Sequence, residues 1–338
     1  MIAETTTKMQ KQQWQIDLAS SFSSLTELLN YCEVAPEDIS VAPEAAKAFR
    51  LFVTKSWAKR IKKGDANDPL LRQVIPLTQE LITTPGYSKE PLEEGKYSPT
   101  AGLIHKYNGR VLVTLSGQCA VNCRYCFRRN FPYNLNQFNQ KNWQEILAYI
   151  AKNDSIHEVI LSGGDPLILP DRILKQVVDD ISNINHIKYL RVHSRIPLAL
   201  PSRITDELIE SFTNSKLKTT FVIHANCAQE LDKEVITKLH KLAKSGFGLL
   251  NQSVLLSGVN DNANSLIDLS HKLFMAKVMP YYLHRLDKVS GSAHFAVSEA
   301  KEKLIYQDLL ANLPGYLVPK LVREIPQKKS KVPIYIDI

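Results

Sequence analysis

Hydrophobic positions change period part-way along the chain. Over the first hundred residues they recur at helical intervals: Leu25, Leu28, Leu29 and Tyr31 share one helical face. A second apolar stripe runs over 45–61 behind Pro43, a residue suited to a helix's first turn. The stretch 84–100 is rich in Pro, Gly and charge and reads as loop. Beyond it, short apolar runs alternate with amphipathic ones. Strands are predicted over 111–115, 158–161, 189–193, 219–223, 249–255 and 278–282. Helices are predicted over 142–151, 172–181, 205–213, 233–245, 263–275 and 298–312. In the second of these, Ile173, Leu174, Val177, Val178 and Ile181 fall on one face.

Six βα units in succession imply an α/β fold with a parallel sheet and helices outside it. Right-handed crossovers would curl that sheet into a partial (β/α)6 barrel. Three regions are expected: a mainly helical N-terminal region over 1–100, the partial barrel over 101–315, and a C-terminal segment over 316–338. In such a barrel the catalytic groups belong at the C-terminal ends of the strands. The run Cys119-Ala-Val-Asn-Cys123-Arg-Tyr-Cys126, Gly163-Gly164-Asp165, Ser194-Arg195, His224 and Gln252 all fall at or near such ends.

The three cysteines are the strongest chemical signal. Thiolates are the normal ligands of iron–sulfur clusters, and a [4Fe–4S] cubane with three protein ligands leaves one iron open to a small molecule. Structural zinc wants four ligands, usually as two separated Cys-x-x-Cys pairs, and no second pair exists. A disulfide framework belongs to small chains in oxidising compartments. Cys32 and Cys227 lie far from the triplet and read as ordinary buried thiols.

Composition changes this picture little. Hydrophobic residues make up 44% and charged residues 22% of 338 positions, ordinary globular usage. No apolar run approaches the ~20 residues that span a bilayer, and the polar N-terminus lacks a signal-peptide core. A soluble protein in the reducing cytoplasm, with no membrane partner, is expected. The net charge of +8 permits an acidic partner or nucleic acid. Part of the excess is local, in Lys55, Lys59, Arg60, Lys62 and Lys63, and in Lys328, Lys329 and Lys331.

The x3-x2 cysteine spacing resembles that of radical S-adenosylmethionine enzymes, in which the methionine end of the cofactor chelates the fourth iron. The cluster then reduces the sulfonium and releases a 5′-deoxyadenosyl radical. The glycine pair is weak evidence alone, but in that superfamily the matching segment contacts the cofactor's amino group. The resemblance assigns Gly163, Gly164, Asp165, Ser194, Arg195, His224 and Gln252 to S-adenosylmethionine.

Over roughly residues 100–338 the chain resembles the lysine 2,3-aminomutase family more specifically. The matching runs are Cys-Arg-Tyr-Cys-Phe-Arg-Arg-Asn-Phe, Leu-Ser-Gly-Gly-Asp-Pro-Leu, Arg-Val-His-Ser-Arg-Ile-Pro, Asn-Gln-Ser-Val-Leu-Leu-Ser-Gly-Val-Asn-Asp, Tyr-Tyr-Leu-His-Arg-Leu-Asp and Ser-Lys-Val-Pro. The nearest branch is the short EpmB type, which supplies β-lysine for modifying elongation factor P. The resemblance implies pyridoxal 5′-phosphate as a third cofactor, with Lys331 as its Schiff-base lysine and Lys328 and Lys329 as nearby rivals. Tyr107 and Arg110 match residues near that cofactor. Arg128 matches the ligand of the substrate carboxylate. Asp287 and Glu324 match the acids that hold the ε-ammonium of L-lysine, with Glu324 one methylene longer than the aspartate of the metabolic enzymes.

The expected reaction is conversion of (S)-α-lysine to (R)-β-lysine, with electrons from a reductant such as flavodoxin or ferredoxin. Elongation factor P and its β-lysine ligase would then be functional partners. The sequence stops seven residues after Lys331, where longer aminomutases carry an extension that binds zinc and holds oligomers. No zinc and a monomer or dimer are therefore expected. The rival readings are a radical RNA-modifying enzyme, for which no RNA-binding motif appears, and an iron–sulfur electron carrier, which would not need six βα units.

Overall fold

The computed structural model describes residues 12–136 and 138–336. Nine strands form one sheet in strict chain order: β1 Leu103–Tyr107, β2 Arg110–Ser116, β3 Glu158–Gly163, β4 Tyr189–Ser194, β5 Lys218–Ile223, β6 Gly248–Leu255, β7 Met279–Arg285, β8 Lys320–Arg323 and β9 Val332–Pro333. Strands β2 to β8 are mutually parallel, while β1 and β9 pair antiparallel at the two edges. Long helices Gln140–Lys152, Asp171–Ser182, Asp206–Thr213, Lys233–Lys244, Ala263–Met275 and Glu299–Asn312 follow β2 to β7 in turn. Right-handed crossovers, the rule for such connections, put these helices on one face of the sheet and leave the other as a lumen. Along β6 the burial alternates, with Leu249, Asn251, Ser253 and Leu255 buried and Leu250, Gln252 and Val254 half-buried. That period of two separates a packed face from the lumen.

All six predicted strands and all six helices after residue 110 are present, within a few residues of their expected bounds. Helix Asp171–Ser182 buries Leu174, Val177, Val178 and Ile181 as its apolar stripe requires. Three strands were not foreseen. Strand β1 joins β2 through Asn108-Gly109, with Gly109 at φ +76°, the chemistry of a tight hairpin turn. Strands β8 and β9 lie beyond residue 315 and continue the same sheet, so the C-terminal segment is an integral part of it.

The apolar stripe over 45–61 is not one helix. It breaks into Pro43–Ala48 and Lys55–Ala58, because the backbone between them has other partners. Phe22 and Val53 exchange two backbone hydrogen bonds of 2.7 and 3.0 Å, and Val53 also bridges to Val121. Thr54 then caps the second helix by accepting from the Trp57 N–H at 3.1 Å. The N-terminal region is thus stitched to the cysteine loop. No helix among the described residues is long and apolar enough to cross a membrane.

The edges of the sheet meet through side chains. Glu324, just past β8, accepts from Lys106 Nζ at 3.1 Å and from the Tyr107 hydroxyl, both on β1. On its other oxygen it accepts from Lys331 Nζ at 2.8 Å. One carboxylate therefore closes the curl that the backbone leaves open.

Candidate active site

Strand β2 runs into the cysteine loop, and β3 holds that loop by its backbone. Gly164 N–H donates to Ser116 O at 2.6 Å and Asp165 N–H to Gln118 O at 2.8 Å. A Cβ at Gly163 would lie 2.4 Å from Ser116 O, and one at Gly164 2.5 Å from Gln118 O. Gly163 also has φ +122°. The glycine pair is thus required by close packing of two backbones. Asp165 is buried, and its carboxylate is consumed within the chain. It accepts from Ser194 Oγ at 2.8 Å and from the amides of Leu167, Arg195 and Ile196 at 3.1, 2.7 and 3.1 Å. Burial still pushes its pKa up to about 6. Asp165 and Ser194 therefore brace the ends of β3 and β4 beneath the cysteines.

The N-terminal region holds the other side of the loop. Asn122 N–H donates to Phe52 O and Arg124 N–H to Gln73 O, each at 2.9 Å. The buried Arg124 guanidinium grips Glu80 through two bonds of 2.8 and 2.6 Å, and Arg129 joins the same carboxylate at 2.7 Å. Arg195 is also buried here: it donates to Gln73 at 2.6 Å and Glu230 at 3.1 Å, and it touches Cys123 Sγ and the Tyr125 hydroxyl. Gln73, Glu80 and Glu230 were not legible in the sequence, because only the fold brings them to the loop.

The donor set fits a cubane. Burial, then mutual repulsion, raises the Cys119 and Cys126 thiols, Cys126 to about 11. Three soft thiols so crowded are stabilised as thiolates by a cationic iron core. Among the described residues no three His, Cys, Asp or Glu side chains converge as ligands of a single ion would; a cubane instead takes each thiol on a separate iron. Cys32 and Cys227 are buried outside the triplet, Cys227 against Gln73 and Glu230, and burial raises both thiols.

Above the loop, His224 and Gln252 belong to a layer of neutral polar groups that also includes His193 on β4 and His284 on β7. Gln252 Nε2 donates to His193 Nδ1 and His224 Nε2, each at 3.3 Å, while its Oε1 accepts from His284 Nε2 at 3.1 Å. Burial keeps all three imidazoles uncharged, His224 down to about 3. His193 must then carry its proton on Nε2, an atom that is buried with no hydrogen-bond partner among the described residues. An unmet donor inside a polar lumen fits a polar ligand such as S-adenosylmethionine. His193 and His284 were missed, though their strand-alternate spacing with lumen residues was the available signal.

At the sheet edges, Lys331 is half-buried while Lys328 and Lys329 are exposed. The hairpin register explains this: Arg323 pairs with Val332, so Glu324 and Lys331 face each other across the turn. Lys331 Nζ also lies 5.6 Å from the Tyr282 ring centroid. The Arg110 guanidinium stacks 4.7 Å over Tyr107 and makes no hydrogen bond or ion pair among the described residues. An inward lysine beside an unpaired guanidinium fits pyridoxal phosphate, the amine for its aldehyde and the fork for its phosphate.

The charged ends of the lumen carry the substrate candidates. Arg128 is 7% exposed, and it already holds a carboxylate, that of Glu94. Asp287 makes no side-chain hydrogen bond or ion pair among the described residues; burial, then Glu324, raises it to about 7. Glu324 is held charged, well below the usual range: Lys331, Tyr107 and Lys106 outweigh its burial. Asp287 and Glu324 both line a cavity of about 490 Å³, together with Tyr87, Ser88 and Leu92.

A family model described as the Radical SAM superfamily matches residues 113–269. An L-lysine 2,3-aminomutase of Escherichia coli K12 is 46% identical over 329 residues, covering 97% of this chain and 96% of that one. The chain belongs to the L-lysine 2,3-aminomutase family. The Buchnera aphidicola member is 44% identical over all of this chain and 99% of its own. The Clostridium subterminale member is 32% identical over 95% of this chain and 77% of its own length. Membership implies a [4Fe–4S] cluster, S-adenosylmethionine and pyridoxal phosphate, and the donor sets above fit all three.

Proposed function

We propose that the protein is an L-lysine 2,3-aminomutase that converts (S)-α-lysine into (R)-β-lysine. The near-full-length identity to enzymes of that name carries this reading. When bound, the cluster with S-adenosylmethionine supplies hydrogen abstraction from substrate carbon, and pyridoxal phosphate carries the migrating nitrogen. Cys119, Cys123 and Cys126 hold the cluster. Lys331 holds pyridoxal phosphate, with Tyr107 and Arg110 at its side. Gly163, Gly164, Asp165, Ser194 and Arg195 shape the floor on which S-adenosylmethionine sits, and His224 and Gln252 form its wall.

The chain's own charges select and position the substrate. Arg128 takes the α-carboxylate, and Asp287 and Glu324 take the ε-ammonium. Fixing both ends matters because a primary radical attacks whichever hydrogen is nearest. Loss of one partner of a buried ion pair costs about 3–5 kcal/mol, so each clamp is a strong filter.

A reductant of the flavodoxin or ferredoxin class, a cytoplasmic setting, a monomer or dimer without zinc, and supply of β-lysine to elongation factor P complete the proposal. The test is anaerobic reconstitution with iron, sulfide and pyridoxal phosphate, then lysine, S-adenosylmethionine and dithionite. Chiral chromatography is expected to find (R)-β-lysine. Lysine left unchanged while S-adenosylmethionine is cleaved would refute the activity. Adding elongation factor P and its ligase tests the link by mass shift, and metal analysis and light scattering test the assembly.

A further inference from the structure

Arg128 donates through Nε to Glu94 Oε2 at 2.8 Å and through Nη2 to Glu94 Oε1 at 2.7 Å. This is the two-pronged geometry of guanidinium on carboxylate. The third nitrogen, Nη1, donates to Ser162 Oγ at 3.0 Å and ties the guanidinium to β3. Both partners are nearly enclosed, with side-chain exposures of 7% and 14%. The edge that would grip an amino acid's carboxylate is therefore filled by a carboxylate of the chain itself.

Glu94 rides on a segment that spans both ends of the site. Between Ile82 and Leu103 its only regular element is one short turn, Glu94–Tyr97. The segment is anchored at Ser88, whose N–H donates to Lys288 O at 3.0 Å and whose carbonyl accepts from Ser290 N–H at 2.9 Å. Those anchors adjoin Asp287. The segment also walls the cavity that Asp287 and Glu324 line.

We propose that Glu94 occupies the place of the substrate carboxylate on Arg128 and exchanges with it as lysine enters and product leaves, which makes Glu94 a specificity-determining residue. The proposal rests on Arg128 being the carboxylate ligand. Lysine arriving with Glu94 in place would put two carboxylates on one fork. Withdrawing Glu94 with nothing to replace it would strand a buried cation. One-for-one exchange avoids both states. Substrate and product each carry a carboxylate, so the return of Glu94 offsets the bond lost as product departs. Uniform tight binding of both would only slow release. The exchange also couples the two ends. Glu94 is among the charges that hold Asp287 up, after burial and Glu324, so its withdrawal favours ionised Asp287 just as the ammonium arrives.

The test uses reconstituted holoenzyme without reductant, so that binding is read without turnover. Lysine and lysinamide, which lacks the carboxylate, are titrated calorimetrically. Glu94→Gln is expected to bind lysine at least about tenfold more tightly, with lysinamide gaining far less because it draws only on the easier ionisation of Asp287, the factor reflecting about one charge-assisted bond no longer contested. Trypsin provides a second readout at Lys89 and Lys96, which flank Glu94. Lysine should speed cleavage there in the wild type and lysinamide should not, while Glu94→Gln should be cut fast without either. Equal or weaker lysine binding by Glu94→Gln, where Arg128→Met alone loses lysine, overturns the exchange and leaves Arg128 as ligand. Tighter binding by Glu94→Gln that survives an added Arg128→Met would instead overturn the role of Arg128, and the proposal with it.

Discussion

Around the cysteine loop the hydrogen bonds run largely from backbone to backbone. Ser116, Gln118, Asn122, Arg124 and Cys126 are all fixed by main-chain groups of β3, the N-terminal region or the loop itself. Around Arg128 and Glu324 the bonds run between side chains, and in the proposed site several partners are ions that the substrate would replace. Lys331 sits on Glu324 as an ammonium, Glu94 sits on Arg128 as a carboxylate, and Asp287 waits without a cation. A cluster that never leaves suits a rigid cradle. A substrate that comes and goes suits ion pairs that can be traded.

The rigid side breaks most completely. Cys119→Ala, Cys123→Ala or Cys126→Ala removes one of the three thiols proposed to hold the cluster, and neither Cys32 nor Cys227, both buried and outside the triplet, is proposed to replace it. Iron content, the broad visible absorbance of the cluster and turnover should all be lost, while Cys32→Ala and Cys227→Ala keep all three. Normal iron and activity in Cys123→Ala would refute the assignment.

The exchangeable side breaks more selectively. Lys331→Ala should lose the covalent pyridoxal adduct, and activity by about 10³-fold or more, as expected when a covalent catalytic group is removed. Iron content should not change. Borohydride reduction followed by peptide mapping checks the site. Adduct on the exposed Lys328 or Lys329 would show that the inward turn of Lys331 serves only Glu324.

Gly164→Ala asks how rigid the cradle is. The added Cβ would meet Gln118 O at 2.5 Å and Gln118 C at 2.8 Å, both backbone atoms. The loop must shift, at a cost of about 1–3 kcal/mol typical of overpacking. Reduced iron loading with a lower melting temperature is expected, and unchanged loading would mean the loop yields without disturbing the thiols.

The same contrast explains what the sequence made legible. The cysteine triplet and the six βα units are local patterns: every predicted strand and helix of those units is present, and the triplet lies on the loop that follows β2. The Asn108-Gly109 turn was equally local and went unread. Gly163 and Gly164 were visible as a turn, but their reason, the approach of Gln118 and Ser116, depends on β2 and β3 pairing. Charge partners lie further out of reach. Arg195 meets Gln73 across 122 residues, a contact that exists only because the N-terminal region docks at the end of β4, and Lys106 meets Glu324 across 218, because the sheet curls until its edges meet. Glu94 sits in a segment that reads simply as polar loop, and nothing in its neighbours signals that it faces Arg128.

The mildest perturbation is pH, and it probes the exchangeable side alone. Burial, then Glu324, raises Asp287 to about 7, while Lys331 and Lys106 pull it down and Glu94 pushes it up. A raised carboxyl is protonated below its pKa, so at pH 6 most free enzyme offers the ε-ammonium a neutral partner. The lysine side chain, with a pKa near ~10.4, stays charged throughout. Lysine affinity should therefore rise with pH, by about tenfold between pH 6 and pH 8, the change in the ionised fraction of a group titrating near 7. Glu324 contributes nothing to this slope, because Lys331, Tyr107 and Lys106 hold it charged across the whole range. Asp287→Asn should bind lysine weakly at every pH and flatten the profile. A slope that persists in Asp287→Asn would place the titrating group elsewhere in the lumen and would leave Glu324 as the principal seat of the ammonium.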